Sequence, residues 1–373
     1  MKQIVFLFLV MTLTACNNQR GSQGSSADPQ ATVETKNLLS GLKSLTDKGI
    51  MFGHQDDLAY GIGWVYPEGE SDVKRVCSDY PAVYGMDLGH IEKLSVTNLD
   101  TVPFENMKLF VREIYSRGGV ITFSWHADNP LTGGNAWDIT SDRVVASVLP
   151  GGENHEKYKQ WLDNIAIFFA SLTDERGKAI PVIFRPYHEH TGSWFWWGQK
   201  LCTTQEYIAL WQFTVDYLCR TKEIHNVLFA YSSSGDIANK EQYLERYPGD
   251  KYIDLIGFDY YQMRDAGNQS FIDAVSGKLK VLTTVAEEHH KVAALTEAGY
   301  ESIPDSTWWT GVLWQAIKDY RISYVLVWRN AHNIPGHFYA PYPGQGSEAD
   351  FIKFYNLPRT LFQKDLAQSG IYR

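Results

Sequence analysis

Eight short apolar runs punctuate the chain, and each ends in residue types that carry chemistry rather than packing. They are "GIMFGH" ending at His54, "AVYGMD" at Asp87, "GVITFSWH" at His126, "PVIFRPYHE" at Glu189, "NVLFAYSS" at Ser233, "IDLIGFDYY" at Tyr261, "VAALTEAG" around Glu297 and "SYVLVWRN" around Trp328. Near-continuous apolar runs of this length are the pattern of strands covered on both faces, as in parallel sheets. Between them lie segments with helical spacing: Phe104 to Ser116, Tyr158 to Leu172, Gln205 to Arg220, Phe271 to His289 and Trp308 to Asp319.

Eight strand–helix alternations predict an α/β fold, a (β/α)8 TIM barrel forming a single catalytic domain over 32–373. The alternative is an open doubly wound sheet, which usually carries a Gly-rich phosphate turn after its first strand. "MFGHQDDLAYGIGW" contains Gly61-x-Gly63 but not the G-x-G-x-x-G spacing. Polar residue types stand at the C-terminal ends of many different strands, and a barrel gathers those ends around one mouth. The stretch from Ala127 to His155, with Pro130, Gly133-Gly134 and Gly151-Gly152, is long for a loop and is expected to form one wall of a cleft.

The first residues read differently. Lys2 precedes an apolar stretch, Ile4 to Leu13, of signal-peptide length and too short for a stable bilayer span. It ends in Leu13-Thr14-Ala15-Cys16, which resembles a bacterial lipobox, with Cys16 lipidated. Residues 1–16 are therefore expected to be a lipoprotein signal peptide and 17–31, rich in Ser, Gly, Asn and Gln, a flexible tether. This implies an exported lipoprotein anchored at the outer membrane, facing the periplasm or the cell surface; plain secretion is the alternative. Cys77, Cys202 and Cys219 remain. They allow at most one disulfide; Cys202 and Cys219 are candidates for it, and the sequence does not fix the pairing. Without a Cys-x-x-Cys motif, no zinc or redox site is indicated.

A net charge of −9 argues against nucleic acid as a partner, since phosphate binding needs a basic face. The 12 Trp and 22 Tyr are more than packing requires; either the core is unusually aromatic or rings are set aside to stack on flat ligand faces.

Two glutamates then stand out. Glu189 follows the fourth run and Glu297 ends the seventh, and in a barrel those strands face each other across the mouth. Two carboxylates held about 5–5.5 Å apart have the spacing of a retaining glycosidase: one protonates the departing oxygen, the other attacks the anomeric carbon. A salt bridge is the structural alternative for each. An ionised carboxylate ending an apolar run is costly unless compensated, and Arg185, Arg329 or the nearby His cluster are the candidates for that compensation.

The segments "FRPYHEHTGSWFWWG", "LTEAGYE", "FSWHADNP", "GFDYYQ" and "LVWRNAH" resemble the signature segments of glycoside hydrolase family 26, the β-mannanases, in order from about Met51 to His332. The resemblance implies a (β/α)8 barrel with retaining chemistry on β-1,4-mannosidic linkages of mannan, galactomannan or glucomannan, without a cofactor. It implies Glu189 as acid/base and Glu297 as nucleophile. His126 and His188 match sugar-binding histidines, and Trp194 the aromatic near the leaving-group sugar. Tyr261 matches the tyrosine bonding the nucleophile, with Tyr260 as the competing choice; strand alternation favours Tyr261, on the same side as Asp259. Trp328 and Arg329 match the platform and polar contact on the eighth strand. A tyrosine hydroxyl and Arg329 are expected to favour the ionised nucleophile, and rings plus the neighbouring charge to raise the acid's pKa.

Blander roles compete for several neighbours. His188-x-His190 has the look of a metal pair, but no third ligand stands on an adjacent strand, so no metal is expected, and His190 can equally well satisfy a backbone carbonyl. Trp196 and Trp197 suit core or loop packing, and Trp308, Trp309 and Trp314 suit a helix core. Asp87, Asp56 and His54 either bind sugar or brace the barrel; Asp259 braces the site or pairs with Arg185. The same mechanism on mixed-linkage glucan or xylan, or a non-catalytic glycan-binding lipoprotein, are the alternative functions. The chain is expected to act as a monomer. Endo versus exo (mannobiose-releasing) action is left to the loops at 127–155 and 333–347.

Overall fold

The computed structural model describes residues 26–373; the expected signal peptide and Cys16 lie outside the described residues. All eight expected strands form: β1 (Ile50–Gln55), β2 (Val83–Asp87), β3 (Val120–Trp125), β4 (Val182–Pro186), β5 (Val227–Ser234), β6 (Leu255–Gln262), β7 (Val292–Tyr300) and β8 (Tyr324–Val327). They pair in parallel in chain order, and β8 closes on β1 in the register Met51↔Tyr324 to His54↔Val327. The result is the closed (β/α)8 barrel. A short strand, Thr360–Leu361, adds to the other side of β1 at its start.

Alternation along each strand divides the core in two. Met51, Val83, Val120, Ile183, Leu228, Leu255, Val292, Ala294, Tyr324 and Leu326 fill the barrel. Phe52, Tyr84, Phe123, Phe184, Phe229, Phe258 and Leu295 point outward under the helices. The helix Val33–Leu45, capped by Thr32, buries Leu38, Leu39, Leu42 and Leu45 against the interior set and so seals the N-terminal end of the barrel. The mouth is left at the C-terminal ends of the strands.

The helical segments arise where spacing predicts them, with two irregularities. Thr204–Asp216, opened by a Thr203–Glu206 capping box, runs into a π turn at Tyr217–Thr221, and the Trp308 segment is a π turn at Trp309–Leu313 followed by Trp314–Ile317. Trp196, Trp197, Trp308 and Trp309 are fully buried core.

One expectation changes, and one pairing that the sequence left open is decided. Residues 26–31 belong to the folded unit rather than to a tether: Asp28 is buried and bonds His225 at 2.7 Å, and the Ala27 N–H donates to Asp254 at 2.7 Å. Those polar contacts, invisible in a Ser/Gly-rich composition, order the segment. Cys202 and Cys219 are not joined; all three described cysteines are free, and the Cys202 thiol instead meets the Trp197 carbonyl and Arg246.

Candidate active site

Strand β4 places the first carboxylate. Pro186 ends the ladder, and the next residues turn sharply, with Tyr187 at φ 48° and Glu189 at φ 53°. Left-handed backbone at non-glycine positions costs about 1–3 kcal/mol each and persists where surroundings enforce it. Here the Tyr207 hydroxyl donates to the Tyr187 carbonyl (3.0 Å), the Trp197 indole N–H to the His188 carbonyl (2.8 Å), and the Glu189 N–H to the Ser232 carbonyl (3.0 Å). The Glu189 carboxylate accepts from the Trp194 indole at 2.7 Å. Burial, and next the charge of Glu297, push Glu189 up to about 7.

Strand β7 places the second, through an irregularity. Phe258 pairs with Leu295 but Asp259 pairs with Glu297, and on the other side Val325 pairs with Leu295 but Val327 with Ala298. Both neighbours thus skip one residue of β7, a bulge around Thr296, whose hydroxyl bonds Asp259 at 2.6 Å. Simple alternation would send Glu297 outward with Ala293 and Leu295; the extra residue turns it into the barrel. There Glu297 accepts from the Tyr261 hydroxyl at 2.7 Å and from Arg185. Arg185 also donates to Asp259 (2.8 Å) and Ser232 (3.0 Å). These two donors fix the position of the Glu297 carboxyl group.

A third part of the mouth is built from β3 and its loop. The His126 ring meets Asp87 through Nδ1 at 2.8 Å, and Asp87 also accepts from Ser124 (2.6 Å) and the Gly89 N–H (2.7 Å). Burial alone would lower the His126 pKa; the adjacent Asp87 carboxylate overrides it and the net shift is upward. The His188 ring lies 4.6 Å from His126 at 82° and is buried, which lowers its pKa well below the usual value. Trp328 stands edge-on to His126 at 6.2 Å.

The structure therefore gathers Glu189, Glu297, His126, His188, Trp194, Tyr261 and Trp328 at one mouth. Tyr261, not Tyr260, meets Glu297; Tyr260 packs outward beneath Lys278. Arg329 differs from expectation. It pairs with Asp100 at 2.8 Å and meets the Tyr60 hydroxyl at 3.3 Å, so the compensating cation at Glu297 is Arg185. Among the residues left open, Asp87 braces His126, Asp259 pairs with Arg185, His54 pairs with Asp57, and Asp56 accepts from Tyr60. Among the described residues the His190 ring bonds no backbone carbonyl; it sits between Tyr207 and Tyr231, 4.6 Å from each.

Sequence reasoning missed Trp137. Its ring stacks on His126 at 5.1 Å and 18° while remaining 47% exposed, on the loop expected to form a cleft wall. Loop residues carry no periodicity, so only the residue type hinted at it.

His188, Asp259 and Glu297 bring donor atoms within 4.8 Å of one another. A metal fits poorly there, because the Arg185 guanidinium already lies between the two carboxylates and donates to both.

The model of "Glycosyl hydrolase family 26" matches residues 27–337. A mannan endo-1,4-beta-mannosidase of Bifidobacterium adolescentis is 31% identical over 96% of this chain and 38% of its own length. One of Bacillus subtilis is 27% identical over 62% of this chain and 64% of its own. The chain thus spans less than two thirds of either relative. A solved family 26 beta-mannanase from Bacteroides ovatus superposes with a TM-score of 0.89 at 51% identity, over 92% of this chain and 98% of that one.

Proposed function

The chain belongs to glycosyl hydrolase family 26, and on that footing we propose that it is a retaining β-mannanase that hydrolyses β-1,4-mannosidic bonds of mannan, galactomannan or glucomannan. The observation that carries this reading is the contrast between two carboxyl groups at one mouth. Glu189 is pushed to about 7, so near neutral pH it still holds a proton to give. Glu297 is held in place by Arg185 and Tyr261, with its carboxyl group inside the barrel mouth where it can attack.

In the first step Glu297 attacks the anomeric carbon while Glu189 protonates the departing glycosidic oxygen; the C–O bond breaks and a glycosyl-enzyme ester forms. The ester removes the charge of Glu297, the second cause of Glu189's elevation, so Glu189 becomes a stronger acid and its carboxylate now takes a proton from water. That water cleaves the ester and regenerates both groups. His126, His188 and Trp328 bind the sugar at the cleavage point, Arg329 serves it from beside Tyr60 and Asp100, and Trp194 supports the leaving sugar.

Proton NMR of the earliest product is expected to show the β-anomer, and separation of products from mannan, galactomannan and lichenan over time is expected to show mannan-type cleavage. Inverted configuration would remove the double-displacement mechanism; preferential attack on lichenan would replace the substrate. We also infer, from Ile4 to Cys16 alone, that Cys16 is lipidated and anchors the enzyme. Cys16→Ser is expected to move it from the membrane to the soluble fraction; retention in the membrane would refute the anchor.

A further inference from the structure

The guanidinium of Arg246 is buried, with 3% of the residue exposed, yet among the described residues it pairs with no carboxylate. A buried charge without a counter-ion is costly unless dipoles replace the lost water. Its partners are all neutral and all belong to one loop. Nη1 donates to the His190 carbonyl, and Nη2 to the Trp197 carbonyl at 3.3 Å and the Cys202 sulfur at 2.9 Å. The cation also lies 4.2 Å from the centre of the Tyr207 ring, whose hydroxyl holds the Tyr187 carbonyl.

These contacts fall at the two ends of the segment 190–202. His190 directly follows the acid; Trp197 and Cys202 close the far end; Trp194, which donates to Glu189, sits between them. A planar fork with fixed donor directions holds both ends at once, which a lysine ammonium does not. The sequence around it, "YLERYPGD", shows no motif, because the contact joins the loop after β4 to the segment after β5.

We propose that Arg246 is a positioning residue for proton donation: by clasping both ends of the 190–202 loop it fixes Trp194 against the Glu189 carboxyl. The proposal rests on the reading of Glu189 as the acid. Loosening the clasp impairs delivery of the proton, and this is felt only where the leaving group needs one.

The test compares Arg246→Met and Arg246→Lys with the unaltered full chain on two substrates. Mannopentaose has a poor leaving group; 2,4-dinitrophenyl β-mannobioside leaves without protonation. The expected result is a loss of about 10- to 100-fold in kcat/KM on mannopentaose, the scale of a misplacement near 1 Å, with much less loss on the aryl substrate. Equal loss on both substrates, or loss on neither, overturns the proposal. If Arg246→Met does not fold, Arg246→Lys, which keeps the charge but not the fork, decides the matter. Glu189→Ala is run alongside. If it shows no dependence on the leaving group, the acid assignment itself fails and the proposal falls with it; if it does and the Arg246 variants do not, only the role of Arg246 is rejected.

Discussion

The Trp194 indole N–H donates to Glu189 at 2.7 Å. The aromatic expected beside the leaving sugar is thus also a hydrogen-bond partner of the acid. The bond favours the charged form of Glu189 and opposes the elevation caused by burial and by Glu297. Trp194→Phe keeps a ring and removes the donor. The acid then loses its proton at higher pH, and the alkaline limb of kcat/KM, expected near 7 in the unaltered enzyme, moves upward. A pH–rate profile checks this; a limb that stays put or moves down removes Trp194 from the electrostatics of the acid.

Removing each carboxyl is expected to give unequal results. Glu189→Ala retains the first step on a dinitrophenyl glycoside, because such a leaving group needs little protonation, and it accumulates glycosyl-enzyme. Glu297→Ala loses the first step on every substrate. Burst kinetics separate the two, and equal loss of the first step in both variants would falsify the assignment of roles.

Glu189 also has a stability signature. Its folded pKa, about 7, lies above the ordinary 4.5, so the folded state holds this proton more tightly than the unfolded state does. The group's contribution is fully present below about 4.5 and is lost as pH rises through 7. Glu189→Gln removes that loss while keeping an acceptor for Trp194. At pH 8 the variant is expected to be more stable by roughly 2–3 kcal/mol, with little difference at pH 4. Denaturant melts at the two pH values measure it; equal effects at both would contradict a half-buried carboxyl with a raised pKa.

Asp87 fixes His126 through Nδ1 and supports its raised pKa. Asp87→Asn removes that charge. The His126 pKa is expected to fall, visible in an NMR titration of the ring, and kcat/KM to drop about 10-fold or more, the scale of one charge-assisted hydrogen bond. An unmoved titration would show that Asp87 merely packs.

The bulge makes the limits of sequence reading concrete. On β6 plain alternation suffices: Gly257, Asp259 and Tyr261 share a face, so Tyr261 rather than Tyr260 was legible as the partner of Glu297. On β7 the same rule points Glu297 the wrong way, beside Ala293 and Leu295. The residue was legible as chemistry because of its type and the "LTEAG" surroundings; its direction was not. Arg329 shows a related limit, since a cation near the right strand end was readable but its choice of Asp100 over Glu297 was not.

The sequence by itself determined the eight strands, the order that closes them, the helices between, and several of the residue types that stand at the mouth, though not Trp137 or the part played by Arg185. These follow from local apolar runs, from periodicity, and from short segments resembling a known family, all written along one stretch of chain. Only the tertiary structure decided which cation meets Glu297, how Thr296 turns that carboxylate inward, how Arg246 holds the loop behind Glu189, and that residues 26–31 join the fold. Each of those depends on groups far apart in the chain meeting in a buried space, where the contact that satisfies a charge is chosen by geometry rather than by neighbours in sequence.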